Sequence, residues 1–262
     1  MIAAARSGDW LTIYSAWAGV PVLLAVVVLC AVGRFFQRDR SQALPPRSVG
    51  EGVRVAVLMF MGVLLVGAVQ GAVLASHGLS IRDPRAIAAL MMVQAPASLA
   101  AAGLGWWYYW RRLARPCAPA YRLALQGVVV LGALLPVCYG LAWLLTQMSA
   151  PQPDQSAVTM VVEREEGWWA VLPMAVLTAP LLEETVFRGA LYGGLRVRLG
   201  FWPAAAISSA LFGAVHGWGA ALPLAALGMG LCWLVERTGS LVPGVVAHAL
   251  FNAITITSIL TA

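Results

Sequence analysis

The sequence contains no lysine, and all 17 of its basic residues are arginine. Charge of either sign is scarce. Charged residues make up 11% of the chain, against about 25% in a soluble domain. That scarcity excludes an ordinary soluble domain, because the surplus apolar surface cannot all enter one water-exposed core. Cysteine is sparse too: Cys30, Cys117, Cys138 and Cys232 are scattered, and no Cys-x-x-Cys pair occurs. They read as small apolar packing residues. Aspartate is missing from every apolar stretch, since Asp9, Asp39, Asp83 and Asp154 fall in the N-terminal segment or in loops. There is no internal repeat, no low-complexity tail and no convincing signal-peptide cleavage site. The net charge of +6 does not indicate nucleic acid, because the arginines lie in short loops beside apolar spans.

What is present is hydrophobic sequence, at 61% of residues. A membrane span needs about 20 apolar residues. The candidates are 10–33, 53–76, 86–110, 122–148, 168–190, 202–217, 220–235 and 241–260, eight in all. The sixth and seventh are short, and the break between them, Gly217-Trp218-Gly219, is too brief for a free loop. Unpaired backbone in lipid rules out open sheets. The expected fold is therefore an all-α, polytopic bundle of about eight transmembrane helices, forming one integral-membrane domain over residues 1–262.

Loop charges suggest an orientation. Arg34, Arg38, Arg40, Arg47 and Arg54 follow the first span, Arg111, Arg112, Arg115 and Arg122 the third, and Arg188, Arg196 and Arg198 the fifth. The intervening loops carry Asp154, Glu163, Glu165 and Glu166. The positive-inside rule then places the arginine loops in the cytoplasm and both termini outside a cell membrane. The Arg82/Arg85 loop opposes this mildly, offset by Asp83. Trp106-Trp107-Tyr108-Tyr109-Trp110 and Trp168-Trp169 fit interfacial belts, and Pro45-Pro46 and Pro151 to Pro153 mark loops.

Against this background the fifth span is unusual, because it reads Leu181-Leu182-Glu183-Glu184-Thr185-Val186-Phe187-Arg188. Acids within a membrane are costly and usually mark a working site. Glu184 and Arg188 are one turn apart and can pair. Glu183 lies about 100° round the helix, free to exchange protons. Two carboxylates in unlike environments can take different roles. Later apolar segments supply Phe212-x-x-x-His216 and His248-x-x-x-Asn252, each pair on one helix face. Asn252 can donate to an oxygen that becomes negative in a transition state. His77, beside Gly78 at a loop edge, reads as solvated. Glutamate, two histidines and asparagine are what water-activating hydrolysis needs. Helix rise puts Glu183 and His248 toward the cytoplasmic side, yet puts His216 roughly 20 Å from Pro203, deeper than either.

The motifs Glu-Glu-x-x-x-Arg, Phe-x-x-x-His and His-x-x-x-Asn, in this order, resemble the CPBP family of intramembrane proteases. That family comprises CAAX proteases and bacteriocin-processing enzymes and is also called the Abi family. The resemblance covers roughly residues 168–256, a catalytic core preceded by four helices within 1–148. It implies a helical bundle around a water-filled cavity, with Glu183 as general base supported by Glu184 and Arg188. It implies that His216 and His248 position the water or bind a metal, and that Asn252 helps form an oxyanion site. His216, His248 and Glu183 match a catalytic zinc set, although the His-Glu-x-x-His motif is absent. Metal-independent chemistry is favoured, because Arg188 would compete with a cation for Glu184.

The expected substrate is a membrane-associated protein or peptide, and the expected surroundings are a lipid bilayer. A rhomboid-like serine protease fits poorly, since Ser208 and Ser209 follow Ile207 without a Gly-x-Ser setting. The rival classes are a non-catalytic membrane immunity or scaffold protein and a proton-coupled transporter. A transporter would more often show an inverted repeat.

Overall fold

The computed structural model describes residues 49–76, 84–110, 118–148 and 172–260. Among these residues every regular element is a helix and none is a strand. The reason is that helices satisfy their backbone hydrogen bonds internally, which lipid demands. In chain order they are α1 (Val49–Ser76), α2 (Pro84–Trp110), α3 (Ala120–Gln147), the composite α4, α5 (Phe201–Ala214), α6 (Trp218–Thr238) and α7 (Val242–Leu260). Three stretches, Val49–Val73, Ala120–Gln147 and Trp218–Thr238, are long and apolar enough to cross a membrane. Phe201–Ala214 and Val242–Ser258 are apolar but shorter. The chain is thus an all-α membrane protein, while the count of eight spans is not confirmed. The expected span 10–33, Trp168-Trp169, His77, Cys30, Cys117 and most of the loop arginines and acids lie outside the described residues.

Helix α4 departs most from expectation. It is a continuous helix made of a π-helical turn (Met174–Thr178), an α-helical turn (Ala179–Glu183), a π-helical stretch (Glu184–Tyr192) and a closing α-helical segment (Gly193–Leu199). Proline explains the first wide turn. Pro180 has no N–H for the carbonyl four residues back, and its ring crowds that carbonyl. The Ala179 N–H reaches instead to the Met174 carbonyl, five residues back. Such widened turns are rare and concentrate at functional sites.

The helix also runs on to Leu199 and stops at Gly200, whose φ of 77° only glycine adopts freely. Arg188, Arg196 and Arg198 therefore stand on a helix and not in a loop, a correction to the sequence reading. The longer helix also removes the depth conflict. Glu183 to Leu199 and Phe201 to His216 are each roughly 20 Å along their helices, so both side chains reach one level.

Three apolar clusters pack the described helices, the third joining Tyr192 of α4 to Ala204 and Ala205 of α5 and to Cys232 and Val235 of α6. Ala56, Ala102, Leu182, Val186, Phe187, Ala190 and Phe212 join α1, α2, α4 and α5. Val130, Leu131, Leu134, Leu227, Leu231, Leu234 and Phe251 join α3, α6 and α7. Small residues let the backbones close in, as membrane packing favours. A Cβ on Gly213 would collide with the Ala221 carbonyl, so α5 and α6 lie against each other. Leu58, Leu65 and Val69 on α1 stay exposed, the apolar face expected toward lipid. Cys138 and Cys232 are free and buried, as read.

Candidate active site

Each motif residue is placed by a local feature of its helix. Glu183 ends the α-helical turn of α4 and Glu184 opens the π-helical stretch. The two carboxylates part company there. Glu184 is fully buried, whereas the Glu183 side chain is 24% exposed. Arg188, also fully buried, holds Nη1 3.0 Å from Glu184 Oε1, an ion pair within one helix. Its alignment falls short of a hydrogen bond, and among the described residues none of the three guanidinium nitrogens has a well-aligned hydrogen-bond acceptor. Compensation comes from elsewhere: the guanidinium carbon sits 4.3 Å from the centroid of the Phe212 ring.

His216 lies just past the end of α5, in a turn made possible by Gly217 at φ 86°. Its Nδ1 is 2.7 Å from the Phe212 carbonyl oxygen, one of the carbonyls a helix end leaves unpaired. A carbonyl only accepts, so Nδ1 carries a proton, and in the neutral imidazole Nε2 then holds the lone pair. His248, on α7, repeats the arrangement with a carboxylate: its Nδ1 is 3.1 Å from Glu184 Oε1. Its proton is held there as well, because Glu184 paired with Arg188 is an acceptor. Both Nε2 atoms then face Glu183 Oε2, at 3.8 Å from His216 and 3.6 Å from His248. Among the described residues that oxygen is buried without a hydrogen-bond partner. Glu183 Oε2 and the two Nε2 atoms therefore converge on one point.

Asn252 is nearby in sequence but is committed differently. Its Nδ2 donates to the Ala175 carbonyl at 2.8 Å. The π-helical turn displaces carbonyls from the usual ladder, and a side chain of α7 takes up this one. Ser208 does the same for the Phe187 carbonyl at 2.8 Å. The expected oxyanion role of Asn252 thus rests on its second N–H alone.

The possible metal set, His216, His248 and Glu183, has suitable chemistry, with both Nδ1 protons anchored as metal-bound imidazoles require. Its spacing is looser than that of an ideal tetrahedral site. Ligands of a tetrahedral zinc at about 2.0–2.1 Å stand roughly 3.3 Å apart, and the observed 3.6 and 3.8 Å are wider. Among the described residues no group of three His, Cys, Asp or Glu side chains is arranged to hold a metal ion.

Sequence reasoning missed the residues that shape the pocket around the charges. A Cβ on Gly228 would lie 2.9 Å from Arg188 Nη2, and one on Gly244 would lie 2.8 Å from Glu184 Oε2. Glycine at these sites leaves room for the buried pair. Gly228-Met229-Gly230 inside an apolar span was the available signal. Gly228→Ala is expected to push the guanidinium off Glu184. Cleavage should fall at least about tenfold and the unfolding midpoint should drop, in line with overpacking costs of about 1–3 kcal/mol. Parallel rate and thermal-unfolding measurements check this, and unchanged values in both would remove the role.

A second cluster ties α4 to α6 beyond the site. Arg196 grips Glu236 with Nη2 2.6 Å from Oε1, and the Tyr192 hydroxyl donates to Oε2 at 2.6 Å. No sequence pattern links groups 40 and 44 residues apart. Glu236→Ala strands both partners, and a loss of stability of about 1–3 kcal/mol is expected by thermal unfolding.

Residues 165–254, about a third of the chain, match the family model described as Type II CAAX prenyl endopeptidase Rce1-like. No curated protein and no solved structure matches. Over that third the chain is similar to the Rce1-like type II CAAX prenyl endopeptidases, in agreement with the family its three motifs resemble.

Proposed function

We propose that the protein is an intramembrane endopeptidase in which Glu183 activates water for attack on a peptide bond of a membrane-associated protein or peptide. The observation that carries this reading is the convergence of Glu183 Oε2 with the Nε2 atoms of His216 and His248. A water at this point can donate one O–H to Glu183 and the other to a neutral imidazole nitrogen, and water is the nucleophile that hydrolysis needs. The bound water gives its proton to Glu183 as its oxygen bonds to the carbonyl carbon. The oxygen that becomes negative is met by the second N–H of Asn252 or by an imidazole that has taken up a proton. Glu183 then passes its proton to the amine nitrogen as the C–N bond breaks. Glu184 and Arg188 act on the reaction through His248, whose ring they orient. No step is routed through a metal, in keeping with the wide spacing.

The one-turn ion pair and the immobilised histidines support a fixed site over a row of relay groups, which distinguishes a protease from a proton-coupled transporter. A catalytic core within 168–256, helices in 1–148 that wall it off, cytoplasmic arginine loops and external termini complete the reading. The test compares membrane proteomes of cells carrying the wild type or Glu183→Gln. Peptide termini that disappear in the mutant are expected and identify the substrate. Identical profiles, with the protein inserted in both, would favour a scaffold or immunity role.

A further inference from the structure

One side chain packs against Arg188, His216 and His248 without being able to react. Phe212, on α5, is fully buried. The Arg188 guanidinium lies over its ring at 4.3 Å. The His216 ring packs against it edge to face at 4.9 Å and 65°, and the His248 ring at 5.4 Å and 88°. Phe187 completes the cage at 5.2 Å and 71°. The Phe212 carbonyl also fixes the tautomer of His216.

We infer that Phe212 is a positioning residue whose ring charge distribution, and not its bulk alone, holds Arg188 against Glu184 and thereby sets the His248 ring. The inference deepens the proposed chemistry and rests on it for its effect on rate. An aromatic face is negative and its edge positive. Arg188 is desolvated, and among the described residues its guanidinium nitrogens find no well-aligned hydrogen-bond acceptor. Besides Glu184, the groups against it are the Cys232 thiol, the Phe187 ring at 6.0 Å and the Phe212 ring at 4.3 Å, which is the nearer of the two ring faces. If the guanidinium slips, Glu184 loses its counter-charge and the 3.1 Å contact that orients His248 loosens. Leucine would fill much of the volume but offers no such face.

The experiment replaces Phe212 with 4-fluoro-, 3,5-difluoro- and 3,4,5-trifluorophenylalanine in the full chain, reconstituted in lipid. Fluorine draws charge from the ring face with little change in size, so packing is kept and the cation attraction declines in steps. The first readout needs no substrate: the imidazole ¹⁵N resonances of His248, assigned with His248→Gln. They are expected to move stepwise toward a more weakly bonded Nδ1–H. The second readout is cleavage of an internally quenched peptide ending in a farnesylated CAAX sequence. There kcat is expected to fall about three- to tenfold across the series with KM unchanged. A His248 signal that stays fixed across the series overturns the inference, whatever the peptide does. If that signal moves while Glu183→Gln cleaves as fast as wild type, the proposed chemistry fails and the positioning of His248 by Phe212 stands. Phe212→Tyr, which keeps the ring face, is expected to retain the wild-type His248 signal more closely than Phe212→Leu.

Discussion

Glu183→Gln is expected to slow peptide cleavage by about 10²–10⁴-fold, the usual worth of a positioned general base. The same change should leave the unfolding midpoint close to wild type. The two halves of this expectation have separate causes. Glutamine keeps the size of the side chain but cannot take a proton from water. Glu183 also contributes little to the fold, since Oε2 has no hydrogen-bond partner and the side chain is partly exposed. A carboxylate that is costly to place and idle in the folded state is retained for chemistry. His216→Ala and His248→Ala should lower the rate in the same assay, because each removes one of the nitrogens facing Glu183. Cleavage by Glu183→Gln at the wild-type rate would remove the proposed base.

Arg188→Ala is expected to act mainly on stability. It leaves Glu184 as an uncompensated charge in a fully buried position, a loss worth about 3–5 kcal/mol. For a protein of ordinary stability this is a large fraction of the whole. Thermal unfolding in detergent should show a sharply lower midpoint, with less protein inserted in membranes. A paired change separates stability from chemistry. Glu184→Gln combined with Arg188→Met removes both charges and keeps most of the volume, so stability should largely return. The rate should not return, because His248 Nδ1 would face an amide in place of a carboxylate. Wild-type stability in Arg188→Ala would show that the pair carries little. A fast double variant would show that Glu184 does not orient His248.

Much of the site was legible because its elements are local. The Glu184 and Arg188 pairing follows from helical spacing alone, and so does the independence of Glu183. The unlike environments of the two glutamates, read from their positions round a helix, appear as one buried carboxylate and one partly open. Hydropathy marked the helices, because a chain in lipid must keep long apolar runs whatever its tertiary arrangement. The ends of those helices were less legible. The sequence reading stopped the fifth span at 190 because arginines usually mark an interface. In the structure Arg188 is inside, neutralised by Glu184 and covered by Phe212, and Arg196 is held by Glu236. Pairing across space is invisible in a one-dimensional count of charges.

The sequence by itself determined that this is a helical membrane protein with a Glu, His, His and Asn set, since composition and one-turn spacings fix those properties locally. Only the tertiary structure decided that both histidines turn Nε2 to Glu183. That outcome depends on two distant acceptors, the Phe212 carbonyl at a helix end and the Glu184 carboxylate across a helix interface. It also decided that Asn252 spends one N–H on the Ala175 carbonyl. The free carbonyl there comes from a widened turn at Pro180, and its partner comes from a helix 77 residues further along the chain.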